Sequence, residues 1–114
     1  MEYDVAIVGT GTAAETAAYQ LADAGKKIVI VDSAPYGGTC ARYGCQPKKY
    51  FVANTHLVAE TRALLGKGIA APAQIDWNAL QAFKRTFTDP VPESTESSLS
   101  DLGIETLHGT ASLT

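Results

Sequence analysis

Val5-Ala6-Ile7-Val8-Gly9-Thr10-Gly11-Thr12-Ala13-Ala14 is the stretch that decides how this chain folds. The apolar run from Tyr3 to Val8 reads as a short buried strand. Gly9 ends it, and the Ala-rich segment Thr12 to Ala24 reads as a helix that stops at Gly25. Between the two, Gly9, Gly11 and Ala14 make a GxGxxA turn. Gly9 permits the tight bend, and Gly11 lets backbone approach a diphosphate with no side chain in the way. Ala14 is small enough for helix and strand to pack closely. Exposed amides where the helix begins sit at its positive end and suit the same diphosphate.

Outward from this turn, Lys27 to Val31 is a second β-branched run, and Asp32 closes it 23 residues after Gly9. A carboxylate there accepts hydrogen bonds from the ribose hydroxyls of a bound dinucleotide. Strand, helix and strand in this order predict a βαβ unit with parallel strands. The alternative is a strand-to-helix turn of small residues with nothing bound; strand, helix and acid together favour a dinucleotide site.

The rest of the chain punctuates itself with glycine and proline. Ser33 to Gly38 is a loop containing Pro35. Helical spacing of apolar residues predicts one helix from Thr39 to about Leu65, ended by Gly66 and Gly68. Asp76 suits the N-cap of a further helix through Leu80, Phe83 and Phe87, which Pro90 and Pro92 break. Trp77, Phe83 and Phe87 lie at helical spacing and read as a core face. The Ser-, Thr- and Glu-rich stretch 88–101 reads as a short helix restarting near Glu93, with a mobile connector as the alternative. Ile104 to Leu107 reads as a third strand, followed by Gly109 and a short run from Ala111 to Leu113.

Composition narrows the function. The chain has 114 residues, 46% hydrophobic and 18% charged, with net charge −3. That suits one globular domain or part of one. The absence of a basic cluster argues against a general nucleic-acid or membrane-surface binder. Apolar runs fall far short of the roughly 20 residues that span a bilayer. Met1 runs almost directly into the first strand, so an intracellular, cytoplasmic chain without a leader is expected.

Gly37-Gly38-Thr39-Cys40-Ala41-Arg42-Tyr43-Gly44-Cys45-Gln46-Pro47-Lys48-Lys49 carries the chemistry. A structural zinc site wants four ligands, and the chain has no second cysteine pair. Its histidines, His56 and His108, are scattered and read as a solvated helix residue and a strand-end residue. Two inert core cysteines are the other alternative. Thiolates near a helix start are stabilised by its dipole and by neighbouring cations, here Arg42, Lys48 and Lys49. A redox-active pair uses all of these features. Tyr36 and Tyr43 flank the motif and are placed to shape access to it.

Taken together, GxGxxA, the acid after the second strand and GGTCxxxGCxPKK resemble the flavin-dependent pyridine nucleotide–disulfide oxidoreductases. Glutathione reductase, dihydrolipoamide dehydrogenase and mercuric reductase belong to that family. The resemblance implies an α/β, Rossmann-like FAD/NAD(P)-binding three-layer fold with a parallel sheet, incomplete at the C-terminus. Residues 1–114 would then be the N-terminal part of an FAD-binding domain, without the NAD(P)H-binding and dimerisation domains of a full-length homodimer. It further implies that Gly9, Gly11, Thr12, Ala13 and Ala14 form the turn on the FAD diphosphate and that Asp32 meets the ribose. The usual family residue there is Glu, so the shorter Asp must sit closer or work through water.

By the same resemblance, Thr39 and Cys40 line the FAD, and Cys40 exchanges with a small-molecule disulfide substrate. Cys45 lies against the flavin as the charge-transfer thiol. The lysine beside the flavin N5 falls on Lys48 in a Pro-Lys-Lys pattern, or on Lys49 were the pattern Pro-Ser-Lys. Ala111 falls where backbone meets adenine. Pro90 and Pro92 depart from the long helix expected in this part of the family. The implied activity is electron transfer from NAD(P)H through FAD to a Cys40–Cys45 disulfide; a dinucleotide-binding module with incidental cysteines is the alternative.

Overall fold

The computed structural model describes residues 1–114. Three short β-branched segments form a parallel sheet in the order β1-β2-β3: β1 (Val5–Val8), β2 (Ile28–Asp32) and β3 (Glu105–His108). Helix α1 (Thr12–Asp23) joins β1 to β2, so the expected βαβ unit is present. Val5 pairs with Ile28 at one end and Val8 with Val31 at the other, while Asp32 pairs with His108. Parallel pairing brings the C-terminal ends of all three strands to one edge. There the Gly9 amide donates to the Val31 carbonyl (2.7 Å) and the Gly109 amide to the Asp32 carbonyl (2.9 Å).

The core lies on the central strand. Ile28 and Ile30, on one face of β2, cluster with Ala18 of α1, Tyr36, Ile104 and Leu99. Fully burying an aliphatic side chain of this size stabilises by about 1.5–3 kcal/mol. The strand β1 departs from expectation: it is half-buried rather than buried, and Val8 is 70% exposed. Its apolar run is the same kind as that of β2, but it forms an edge and has a neighbour on one side only. Tyr36 departs as well. It is buried, and its hydroxyl donates to the Leu107 carbonyl (2.7 Å), with the Ile30 carbonyl at 3.3 Å. It therefore ties β2 to β3.

The single helix expected from Thr39 is two helices, α2 (Gly38–Tyr43) and α3 (Cys45–Ala63). Gly44 separates them at φ −111°, ψ −116°, far from helical geometry. Helix α4 (Trp77–Thr88) begins as expected, with the Asp76 carboxylate accepting the Ala79 amide at 3.0 Å. Helix α5 (Val91–Asp101) starts slightly earlier than the reading from Glu93, with Pro90 at its N-cap and Pro92 in its first turn. A missing N–H costs nothing there, so the prolines end α4 and open α5. Tyr50 and Phe51 of α3 meet α4: ring centroids lie 5.3 Å apart for Tyr50–Phe83 and 5.7 Å for Phe51–Trp77. Trp77 and Phe83 nevertheless stay 58% and 57% exposed, so this face is a satellite cluster rather than the expected core. The helical arm makes the molecule long, 69 × 25 × 24 Å. The run Ala111 to Leu113 forms no element. No helix is long and apolar enough to cross a membrane.

Candidate functional site

The glycine turn sits at the shared edge of the strands. Gly9 has φ +99°, a conformation that suits glycine, and a β-carbon built on it meets nothing within 4 Å. One built on Gly11 meets only the Gly38 Cα, at 3.9 Å. Both glycines thus present bare backbone. In α1 the first helical bond runs from the Glu15 amide to the Gly11 carbonyl (2.9 Å), and no side chain caps the helix. The amides of Thr12, Ala13 and Ala14 therefore have no partner within the helix. Free donors, a positive helix end and no intervening side chain together fit a diphosphate. Ala14 packs against the core, consistent with its part in helix–strand packing.

Asp32 stands beside this turn at the end of β2. Its Oδ2 accepts the Thr10 hydroxyl at 2.6 Å and its Oδ1 accepts the Ala34 amide at 2.9 Å. Partial burial pushes its pKa up, but bonds from the Thr10 hydroxyl and from the amides of Ala34, Thr10 and Ser33 outweigh this. The net effect is a carboxyl held below its ordinary value. Thr10, between the two turn glycines, was not singled out by motif reasoning. It is 1% exposed, and its hydroxyl also accepts the Gly37 amide at 3.1 Å. The available signal was a hydroxyl residue inside the turn facing an acid one methylene shorter than usual.

The cysteine segment rests on the turn. Gly38 opens α2 at φ +66°, and a β-carbon there would lie 2.4 Å from the Gly11 Cα. Two backbones thus meet where only glycine fits. At the other end of α2, a β-carbon on Gly44 would lie 2.9 Å from the Thr39 carbonyl oxygen and 3.1 Å from the Cys40 Cα. The bare Gly44 lets α3 start against α2, which brings Cys40 and Cys45 together. Both are free thiols; Cys40 is half-buried and Cys45 exposed.

The two thiols bias each other in opposite directions: their contact raises the pKa of Cys40 and lowers that of Cys45. Lys48 and Lys49 further lower Cys45, and Lys49 also draws Cys40 down, though less than its other contacts raise it. Cys45 is the first residue of α3, where the helix dipole adds to this stabilisation. Of the two thiols, Cys45 is the one held below its ordinary value. Arg42 contributes less than its place in the motif suggested: it donates to the Pro35 carbonyl (3.0 Å), and its guanidinium lies 5.2 Å from the Tyr43 ring centroid.

Of the other candidates, Thr39 is exposed, with its carbonyl packed under Gly44. Lys48 and Lys49 are both exposed on the first turns of α3. Ala111 lies exposed beyond β3, past the Gly109 amide that bonds Asp32. His56 is solvated on α3. His108 ends β3 and meets the Glu96 carboxylate at 2.9 Å, which also accepts the Thr106 hydroxyl at 3.0 Å. The contacts with His108 and Thr106 hold the Glu96 carboxyl below its usual range. No three His, Cys, Asp or Glu side chains gather as a metal site would need.

Comparison with known proteins agrees with this arrangement. A family model described as pyridine nucleotide-disulphide oxidoreductase matches residues 3–111. A dihydrolipoyl dehydrogenase of Bacillus subtilis is 28% identical over 95% of this chain and 24% of its own length. A mercuric reductase of Streptomyces lividans is 32% identical over 96% of this chain and 24% of its own length. Among solved structures, the Cu(II) complex of the HOCl-induced flavoprotein disulfide reductase RclA from Escherichia coli superposes with a TM-score of 0.73. It is 25% identical, over 99% of this chain and 23% of that one. The chain thus spans about a quarter of the length of the relatives it matches.

Proposed function

The chain belongs to the pyridine nucleotide-disulphide oxidoreductase family, and from that premise we propose that it is the N-terminal part of the FAD-binding domain of a flavoprotein disulfide reductase. The family implies FAD and NAD(P)H as cofactors, and an oxidoreductase as the class of enzyme. In this reading the free amides of Thr12 and Ala13, with bare Gly9 and Gly11, hold the FAD diphosphate. Asp32 accepts from the ribose, Thr39 and Cys40 line the flavin side, Lys48 stands near its N5, and Ala111 meets the adenine. Bound FAD supplies hydride acceptance from NAD(P)H and electrons to the cysteine pair.

The chain's own share of the chemistry is thiol–disulfide exchange. Cys40 attacks one sulfur of a small-molecule disulfide, its proton passing to the leaving sulfur, so that a mixed disulfide forms and one thiol leaves. Cys45 thiolate then attacks the Cys40 sulfur, closing the Cys40–Cys45 disulfide and releasing the second half as a thiolate that takes its proton from water. The substrate disulfide is reduced and the dithiol oxidised, and Lys48 and Lys49 hold Cys45 anionic between turnovers. The whole protein is proposed to work as a homodimer in a reducing cytoplasm, where such a pair can cycle.

One observation carries this reading: the bare face of Gly44, against the Thr39 carbonyl and the Cys40 Cα, brings the two free thiols together, with Cys45 held below and Cys40 above the ordinary thiol value. The test is alkylation by iodoacetamide against pH, read at each cysteine by mass spectrometry, together with FAD titration followed by absorbance. Cys45 should alkylate at lower pH than Cys40. Cys40→Ala should shift the Cys45 profile upward, because the largest cause of its lowered pKa is gone. With FAD bound to the reduced chain, a long-wavelength flavin–thiolate band should appear and vanish in Cys45→Ser. Equal alkylation profiles and FAD binding without that band would instead indicate a nucleotide-binding module with incidental cysteines.

A further inference from the structure

We propose that Thr10 is a positioning residue of the nucleotide site, whose hydroxyl holds both the Asp32 carboxylate and the cysteine-bearing loop in the geometry that receives the adenosine ribose of FAD. The inference rests on the dinucleotide reading above and extends it to a residue outside the glycine positions of the motif.

Three observations carry it. Thr10 is 1% exposed, so its hydroxyl depends on protein partners, and it has two: Oδ2 of Asp32 at 2.6 Å and the Gly37 amide at 3.1 Å. The first is a charge-assisted bond, of the stronger kind. Second, the Ala34 amide holds Oδ1 at 2.9 Å, so the carboxylate is fixed at both oxygens. Each oxygen still keeps a lone pair, and two ribose hydroxyls can be accepted without further ordering of the side chain. Third, the Gly37 amide that Thr10 holds precedes Gly38, whose backbone rests on Gly11. One hydroxyl thus links the ribose acid, the diphosphate turn and the segment that carries Cys40.

The length of the acid explains why this matters. An aspartate is one methylene shorter than a glutamate and cannot swing to find its ligand, so its direction must be set by neighbours. Removing the Thr10 hydroxyl leaves the carboxylate held by backbone amides alone and the Gly37 amide, on a buried residue, without its acceptor.

The test compares the whole 114-residue chain as wild type, Thr10→Val and Thr10→Ser. FAD affinity is followed by flavin fluorescence against pH, the Asp32 carboxyl by carbon-13 NMR, and folding by circular dichroism. Thr10→Val should weaken FAD by about tenfold and raise the Asp32 pKa. The accepting carboxylate is present above that pKa and lost as pH falls through it, so affinity in the variant should begin to fall at higher pH. Thr10→Ser keeps the hydroxyl and should stay within about twofold of wild type on both readouts. Should valine unfold the chain, Thr10→Ala carries the same expectation. A folded Thr10→Val or Thr10→Ala chain with wild-type FAD affinity overturns the proposal, as does a changed Asp32 titration with unchanged affinity. A folded wild-type chain that binds neither FAD nor ADP, whose diphosphate and ribose would meet this segment, overturns the dinucleotide reading and this proposal together.

Discussion

Around the glycine turn, the polar groups are held by paired strands and buried hydrogen bonds; around the cysteines, they are held by backbone contact between two helices and left largely in water. Thr10 is fully enclosed and Asp32 is bonded at both carboxylate oxygens. Cys45, Lys48 and Lys49 are exposed, and the contact that aligns the thiols is the bare face of Gly44. The difference suits the two roles proposed for these ends. A bound nucleotide gains from donors and acceptors ordered before it arrives. A thiol that exchanges with an outside disulfide must stay reachable, and its charge can be tuned by a neighbouring thiol and nearby lysines without burial.

The comparison is most exposed to failure where the two ends touch. Gly38→Ala introduces strain at φ +66° and an overlap at 2.4 Å from the Gly11 Cα, backbone that cannot move aside. It should cost about 3 kcal/mol or more in urea unfolding. Near-wild-type stability would mean that the ends are not rigidly joined. A pair of core truncations measures their packing against each other. Leu99→Ala, at a fully buried site facing the sheet, should lose about 2–5 kcal/mol. Phe83→Ala, at a site 57% exposed in the helical arm, should lose about 1 kcal/mol, a fraction of what a buried aromatic costs. Similar losses would show that the arm is as firmly packed as the sheet. The smallest effect is expected at the arm's one side-chain cap: Asp76→Ala removes the acceptor of the exposed Ala79 amide and should cost about 0.5 kcal/mol. A helix content unchanged by circular dichroism, with that loss in stability, would sharpen the assignment of the cap.

Local chemistry wrote much of the fold openly into the chain. Positive φ at Gly9 and Gly25, the β-branched run of β2 and the Asp76 cap are each decided within a few residues, by sterics and hydrogen bonds that need no distant partner. The GxGxxA turn and the two cysteines were legible for the same reason, since each is a contiguous pattern whose chemistry demands those residue types.

Other features depended on what the chain meets after folding. Apolar runs of the same kind gave a buried β2 and a half-exposed β1, because burial is set by neighbours on both sides of a strand. Helical periodicity ran straight through Gly44; only the approach of the Thr39 carbonyl and Cys40 to its α-carbon shows why the helix breaks there. Tyr36 is a tie between strands, since its hydroxyl meets a carbonyl 71 residues away. Thr10 gained its two partners, 22 and 27 residues on, only when β2 and its following loop came back beside the turn. Sequence by itself determined most of the elements, the turn and the pairing of two cysteines in one short motif, because those follow from short-range sterics and side-chain chemistry. The tertiary structure alone decided which polar groups are enclosed and which strand faces are covered, because those depend on contacts between segments far apart in the chain.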